Sequence, residues 1–157
     1  MDQDELFMSQ AIEQAKHGLE LGHGGPFGAV VVMQGEIVGR GWNQVVHLND
    51  ATAHAEMQAI RASCKHLDNF HLSGAVLYTT CEPCPMCLSA AYWAHIERLV
   101  YAANSADAAA SGFDDNAIAL QICKPMQDRE MPSRQVLRDE SRLLFEAWNV
   151  SDKRTEY

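Results

Sequence analysis

The chain has no apolar run approaching the ~18 residues of a membrane span. Its opening segment, Met1 to Gln10, is acidic and polar, the reverse of a secretory signal's basic start and apolar stretch. Together these absences argue against a membrane-spanning helix and place the expected location in the cytoplasm. Basic residues are scarce, with 12 Lys and Arg against 21 Asp and Glu and a net charge of −9. Phosphate backbones are bound mainly through Lys and Arg, so a polynucleotide is a poor partner and a small, neutral or cationic substrate a better one. The only local basic cluster is Lys153-Arg154. No linker, internal repeat or low-complexity run divides the chain. An even cysteine set is also missing: there are 5, and three fall between Cys81 and Cys87. In a cytoplasmic chain, as expected here, that clustering reads as metal binding before disulfides. Cys64 and Cys123 read as buried small hydrophobes.

What is present fits one α/β domain. With 157 residues, 47% of them apolar, the chain can bury a solid core without cross-links. Leu6, Phe7, Ala11, Ile12, Ala15 and Leu19 recur at helical spacing, and Gly22 to Gly25 ends that helix. Ala29 to Met33 is a continuous apolar run suited to a buried strand, and Gln34-Gly35 turns it into a second strand, Glu36 to Trp42. A helix from about His54 to Cys64 follows. Then come a strand over Ala75 to Thr79, a helix over Cys84 to His95 with Pro85 in its first turn, and a strand over Arg98 to Ala102. A late helix covers Leu137 to Trp148, while Asn104 to Pro132 carries only weak signals. This order predicts a three-layer α/β/α sandwich around a five-stranded mixed sheet, with residues 1–157 forming a single domain.

Two short segments carry chemistry. His54-Ala55-Glu56 opens one predicted helix and Cys84-Pro85-Met86-Cys87 another. Helix starts present partial positive charge and free N–H groups, which favour thiolates. Cys84 and Cys87, three apart, share a helical face and can grip one ion. Zinc takes Cys and His ligands, and a catalytic site uses three so that water can fill the fourth position. Spacing leaves the ligand set open, because Cys81 and Cys84 form a second, overlapping C-x-x-C. A site closed by His54 and all three cysteines would be structural, an interaction module with no place for water. Glu56 favours the hydrolytic alternative: a carboxylate two residues after a ligand can face an attacking water and move its proton. His-x-Glu followed by Pro-Cys-x-x-Cys is the signature of zinc nucleobase deaminases.

On these residues the chain resembles the cytidine deaminase-like superfamily, and within it the bacterial guanine deaminase family over nearly its whole length. The shared segments are Gly24 to Ala29, Asn49 to Glu56, Thr80 to Cys87, Ala90 to Ala94, Gly112 to Asp115, and the terminal Glu156-Tyr157. Gly112 to Asp115 and the terminal tyrosine point to guanine deaminases rather than tRNA adenosine or cytosine deaminases. The resemblance implies one Zn2+ per subunit on His54, Cys84 and Cys87, with Glu56 as proton shuttle. It implies that Phe27 and Trp93 form an aromatic pocket for a purine base, and that Asn43 bonds its ring edge. Ala55 joins the substrate contacts, and Asp115 meets the departing amino group, although Asp114 beside it is an alternative. It also implies a homodimer that exchanges the C-terminal segment, about residues 130–157, so that Tyr157 reaches the other subunit's pocket. The expected reaction is hydrolysis of guanine to xanthine and ammonia. The alternatives are another base, tRNA adenosine on the same scaffold, or the structural zinc module.

Overall fold

A capping box starts the first helix of the computed structural model, which describes residues 2–157. Asp2 accepts the Glu5 amide at 2.8 Å and Glu5 accepts the Asp2 amide at 2.8 Å, opening α1 (Gln3–Glu20). The next elements are β1 (Gly28–Met33), β2 (Glu36–Trp42), α2 (Val45–Leu48) and α3 (Ala55–Leu67). After them come β3 (Val76–Cys81), α4 (Pro85–Trp93), β4 (Arg98–Ala103) and α5 (Ser105–Ala110). The chain ends with α6 (Asn116–Ile122), a 3-10 turn at Met126–Asp128, and α7 (Arg138–Asn149). It divides into two compact units, 1–116 and 117–157.

The first unit holds a mixed sheet in the order β2-β1-β3-β4. β1 pairs antiparallel with both β2 and β3, and β3 pairs parallel with β4. Gln34 and Gly35 both have positive φ, 52° and 83°, as the tight hairpin joining β1 to β2 demands. The parallel step needs a crossover, which α4 supplies. Because β1 is central, both of its faces are buried. Val30 and Val32 pack with Phe7 and Ala11 of α1 and with Tyr78. Ala29 and Val31 pack on the opposite face with Ala55, Ala59 and Ile60 of α3 and Ala91 of α4. Helices therefore cover both faces, giving the expected three layers.

The sheet has four strands, not five. After β4 the chain turns helical at once, because Asn104 accepts the Asp107 amide and Asp107 accepts the Asn104 amide, both at 3.0 Å. That capping box and the alanine-rich Ser105–Ala110 favour a helix where a fifth strand would start. Cys64 is half-buried against the core, whereas Cys123 is exposed in the second unit, contrary to its expected burial. No helix among the described residues is long and apolar enough to cross a membrane.

Two glycines of β2 set the position of α3. A Cβ on Gly41 would collide with the Ala55 carbonyl and the Ala59 amide, and one on Gly39 with the Ala59 carbonyl and the Ser63 hydroxyl. Their absence lets the α3 backbone lie directly on the sheet. Gly28 does the same for α1 on the other face, where a Cβ would meet the Ala11 carbonyl and the Ala15 amide.

Candidate metal centre and active site

His54 is the N-cap of α3 and Cys84 the N-cap of α4, so the two helix starts meet at one end of the sheet. Neither side chain caps its own helix. Both turn to a common point: His54 Nδ1 lies 3.5 Å from Cys84 Sγ and 3.5 Å from Cys87 Sγ. This is the one group of three or more possible metal donors among the described residues, with all three ligand atoms within 4.8 Å of one another. The spacing fits zinc. Bonds of ~2.3 Å to sulfur and ~2.0 Å to nitrogen at a tetrahedral angle put N and S about 3.5 Å apart. Cys81 stands outside the group: its buried thiol donates to the Asn104 carbonyl at 3.6 Å, and burial pushes its pKa up. The spacing of the cysteines could not distinguish the two C-x-x-C pairs; their positions in the fold do.

The electrostatics suit a metal ligand set. Cys84 is held down at about 4, chiefly by a hydrogen bond from Cys87 and then by His54. Cys87 is pushed up, first by donating that bond and then by burial. The pair thus holds one negative charge by itself, and a bound cation draws off the second proton. His54 is raised by its bond to Cys84. Glu56, in the first turn of α3, is buried beside Cys87, and desolvation raises its pKa above that of an exposed carboxyl. A carboxyl shifted toward its neutral form is better suited both to accept a proton and to return it.

A cavity of about 390 Å3 opens in front of these residues, within the first unit. This lies within the roughly 300–1,000 Å3 of small-molecule sites. His54, Glu56 and Cys84 reach it, as do Phe27, Asn43 and Asp115. Asn43 is buried, and its Oδ1 accepts the amides of Gly25 at 3.3 Å and Val45 at 3.2 Å. Those two donors fix the amide's orientation and leave its NH2 as the group available to a ligand. Asp114 accepts the Asn116 amide at 3.0 Å and so serves the start of α6. Asp114 lines the cavity as well as Asp115, and the charge of Asp115 is felt at His54 and Cys81.

Other expected residues lie differently. Ala55 is fully buried at the first position of α3, where amides have no intrahelical partner. Trp93 closes α4 with 65% of its surface exposed and does not line the cavity. Tyr157 ends the second unit, exposed. The structure adds Phe113, whose ring meets Phe27 edge-to-face with centroids 4.9 Å apart, both lining the cavity. Its place beside Asp114-Asp115 was the available signal. It also adds Glu82, a cavity residue that accepts the Ser105 amide at 3.0 Å and so ties β3 to the start of α5.

Known proteins resemble the chain over much of its length. Residues 1–103 match the family described as the cytidine and deoxycytidylate deaminase zinc-binding region. The chain is 47% identical to a guanine deaminase of Bacillus subtilis over 98% of both chains. The X-ray structure of guanine deaminase from that organism superposes with a TM-score of 0.93, again covering 98% of each. A solved structure in complex with 2,6-diaminopurine is 35% identical, with a TM-score of 0.68 over 71% of this chain and 62% of that one. A tRNA-specific adenosine deaminase of Bacillus subtilis is 44% identical over 71% of this chain and 69% of its own.

Proposed function

The chain belongs to the cytidine and deoxycytidylate deaminase zinc-binding family, and from that membership we propose that it hydrolyses guanine to xanthine and ammonia. The observation that carries the substrate is the 47% identity to a guanine deaminase over 98% of both chains. The chemistry is carried by Glu56, buried beside a His/Cys/Cys group at the cavity.

His54, Cys84 and Cys87 would hold the zinc ion. When bound, zinc supplies the Lewis acidity that lets water attack at neutral pH. Glu56 takes the attacking water's proton and delivers it to a ring nitrogen of the base. Asp115 faces the amino group and shares the second proton transfer, which lets ammonia leave. Phe27 and Phe113 bound the plane of the base, the Asn43 NH2 donates to an acceptor on its edge, and Ala55 contributes from the first turn of α3. The edge-to-face rings and the buried wall exclude water from the reacting atoms.

The protein acts as a homodimer that exchanges its C-terminal segment, about 130–157. What supports this is the second unit, in which no residue is buried and α7 leaves Leu143, Leu144 and Phe145 exposed. A segment this small cannot close a core alone. The partner subunit's Tyr157 completes the aromatic pocket together with Trp93. Removing residues 156–157 lowers kcat/KM while zinc content stays intact; an unaffected truncation refutes the exchange.

The reaction is tested by incubating zinc-loaded protein with guanine, adenine, cytosine and cytidine and following ammonia release. Guanine turnover is expected. Activity confined to adenine or cytidine overturns the substrate assignment. Glu56→Gln keeps zinc and loses about 10²–10⁴ in kcat.

A further inference from the structure

Gly24, Gly25, Val45 and Val46 line one side of the cavity, and next to them lies a histidine pair that the chemistry above does not use. His23 and His47 stack face to face, with ring centroids 3.9 Å apart and planes inclined by 10°. His23 Nδ1 accepts the indole N–H of Trp42 at 3.1 Å. Indole is a donor only, so this nitrogen is unprotonated and the neutral ring carries its hydrogen on Nε2. The His23 carbonyl accepts the amides of Val46 and His47, both at 3.1 Å. One residue thus ties its side chain to β2 and its main chain to α2, immediately before Gly24 and Gly25. Asn43 follows Trp42, and its Oδ1 bridges the Gly25 and Val45 amides. The spacing of the same two segments therefore aims the Asn43 NH2.

We propose that His23 is a positioning residue for the purine, clasping the Gly24-Gly25 segment to α2 and β2 when neutral, so that its protonation releases Asn43 from its binding pose. This rests on the guanine reading of the site. Protonation puts a hydrogen on Nδ1, so two donors face each other at the Trp42 contact. It also sets a cation against the face of His47. The charged groups felt at His23 are His47 of α2 and His17 of α1, while β2 offers the uncharged Trp42. His17 stands edge-on to the Trp42 ring with centroids 4.8 Å apart. Desolvation, followed by these neighbours, holds His23 below the ordinary histidine value of 6.5.

The test uses zinc-loaded protein and guanine between pH 8 and pH 5. If only the neutral form binds, KM rises about tenfold one pH unit below the His23 midpoint, with kcat unmoved by that titration. His23→Gln keeps an acceptor for the indole and cannot titrate, so its KM should stay near the wild-type plateau. His23→Leu removes the acceptor and should raise KM at every pH. The Trp42 indole N–H resonance, followed by NMR without substrate, should titrate at the same midpoint as KM and lose that transition in His23→Gln. A flat wild-type KM across the indole midpoint, or an acid rise that survives in His23→Gln, overturns the positioning role alone. No guanine turnover at any pH overturns the substrate reading, and the positioning role with it.

Discussion

Replacing Gly41 with alanine tests whether the sheet itself sets the metal centre. The new Cβ would stand 2.5 Å from the Ala59 amide nitrogen and closer still to the Ala55 carbonyl, where ordinary contacts are 3.4–4 Å. The obstruction is helix backbone, which cannot rotate aside, so α3 must move off the sheet by about an ångström. His54 immediately precedes that helix. A Zn–N bond of ~2.0 Å tolerates a displacement of roughly 0.2 Å, so an ångström removes the ligand. After partial relaxation, zinc affinity should fall by about 10–100-fold or more. Overpacking of this kind costs about 1–3 kcal/mol, and each kcal/mol lowers Tm by roughly 2–4 °C at this chain length. Gly28→Ala is the matched control. It jams against α1, which holds no metal donor, and should show a similar drop in Tm with zinc affinity preserved. Competition with a chromophoric chelator measures the affinity, and calorimetry the Tm. Gly41→Ala binding zinc like wild type, or Gly28→Ala losing it equally, would refute the reasoning.

Three further outcomes follow from the site and its surroundings. Cys81→Ser should leave zinc content and the two-thiolate spectrum of the cobalt-substituted protein unchanged, whereas Cys84→Ser should lose the ion; a third thiolate in the cobalt spectrum would return Cys81 to the ligand set. Asp115→Asn should lower kcat by about 10² or more, while Asp114→Ala, which removes the acceptor for the Asn116 amide, should mainly lower Tm through the start of α6; the reverse pattern would exchange their roles. The Asp4 carboxyl is held at about 2, below its ordinary 3.8, first by hydrogen bonds from Arg98. Its contribution to stability is present above pH 4 and is lost as pH falls through 2. Asp4→Asn should therefore melt below wild type at pH 7, with the gap closing toward pH 2; a gap constant with pH would exclude this linkage.

Most of the sheet was legible because β1 and β2 are distinguished by burial. A strand covered on both faces must be apolar throughout, as Ala29 to Met33 is, and Gln34-Gly35 admits few structures besides a tight turn. The missing fifth strand was not legible, since the reciprocal bonds of Asn104 and Asp107 depend on local geometry rather than on periodicity. The metal group was legible in kind: His54 and Cys84 both stand where helices begin. Its membership was not, because the direction of the Cys81 thiol is decided by the end of β3 meeting the Asn104 carbonyl. Asp114 and Asp115 are chemically identical neighbours, and no sequence pattern says that the first accepts the Asn116 amide while the charge of the second is felt at His54. Phe113 was hidden for a similar reason: it meets Phe27 across a distance in sequence that no local pattern spans.

His54 and Cys84 occupy N-cap positions and cap nothing with their side chains. Ser, Thr, Asp or Asn at such positions typically stabilises a helix by ~1 kcal/mol. A library of this protein sorted only for heat resistance, without metal or turnover in the screen, would therefore drift toward those residues at 54 and 84. Its winners would be sturdier and inert. Directed evolution on this scaffold has to select for activity and robustness in the same round, because at these two positions thermal selection and catalytic selection point to different amino acids.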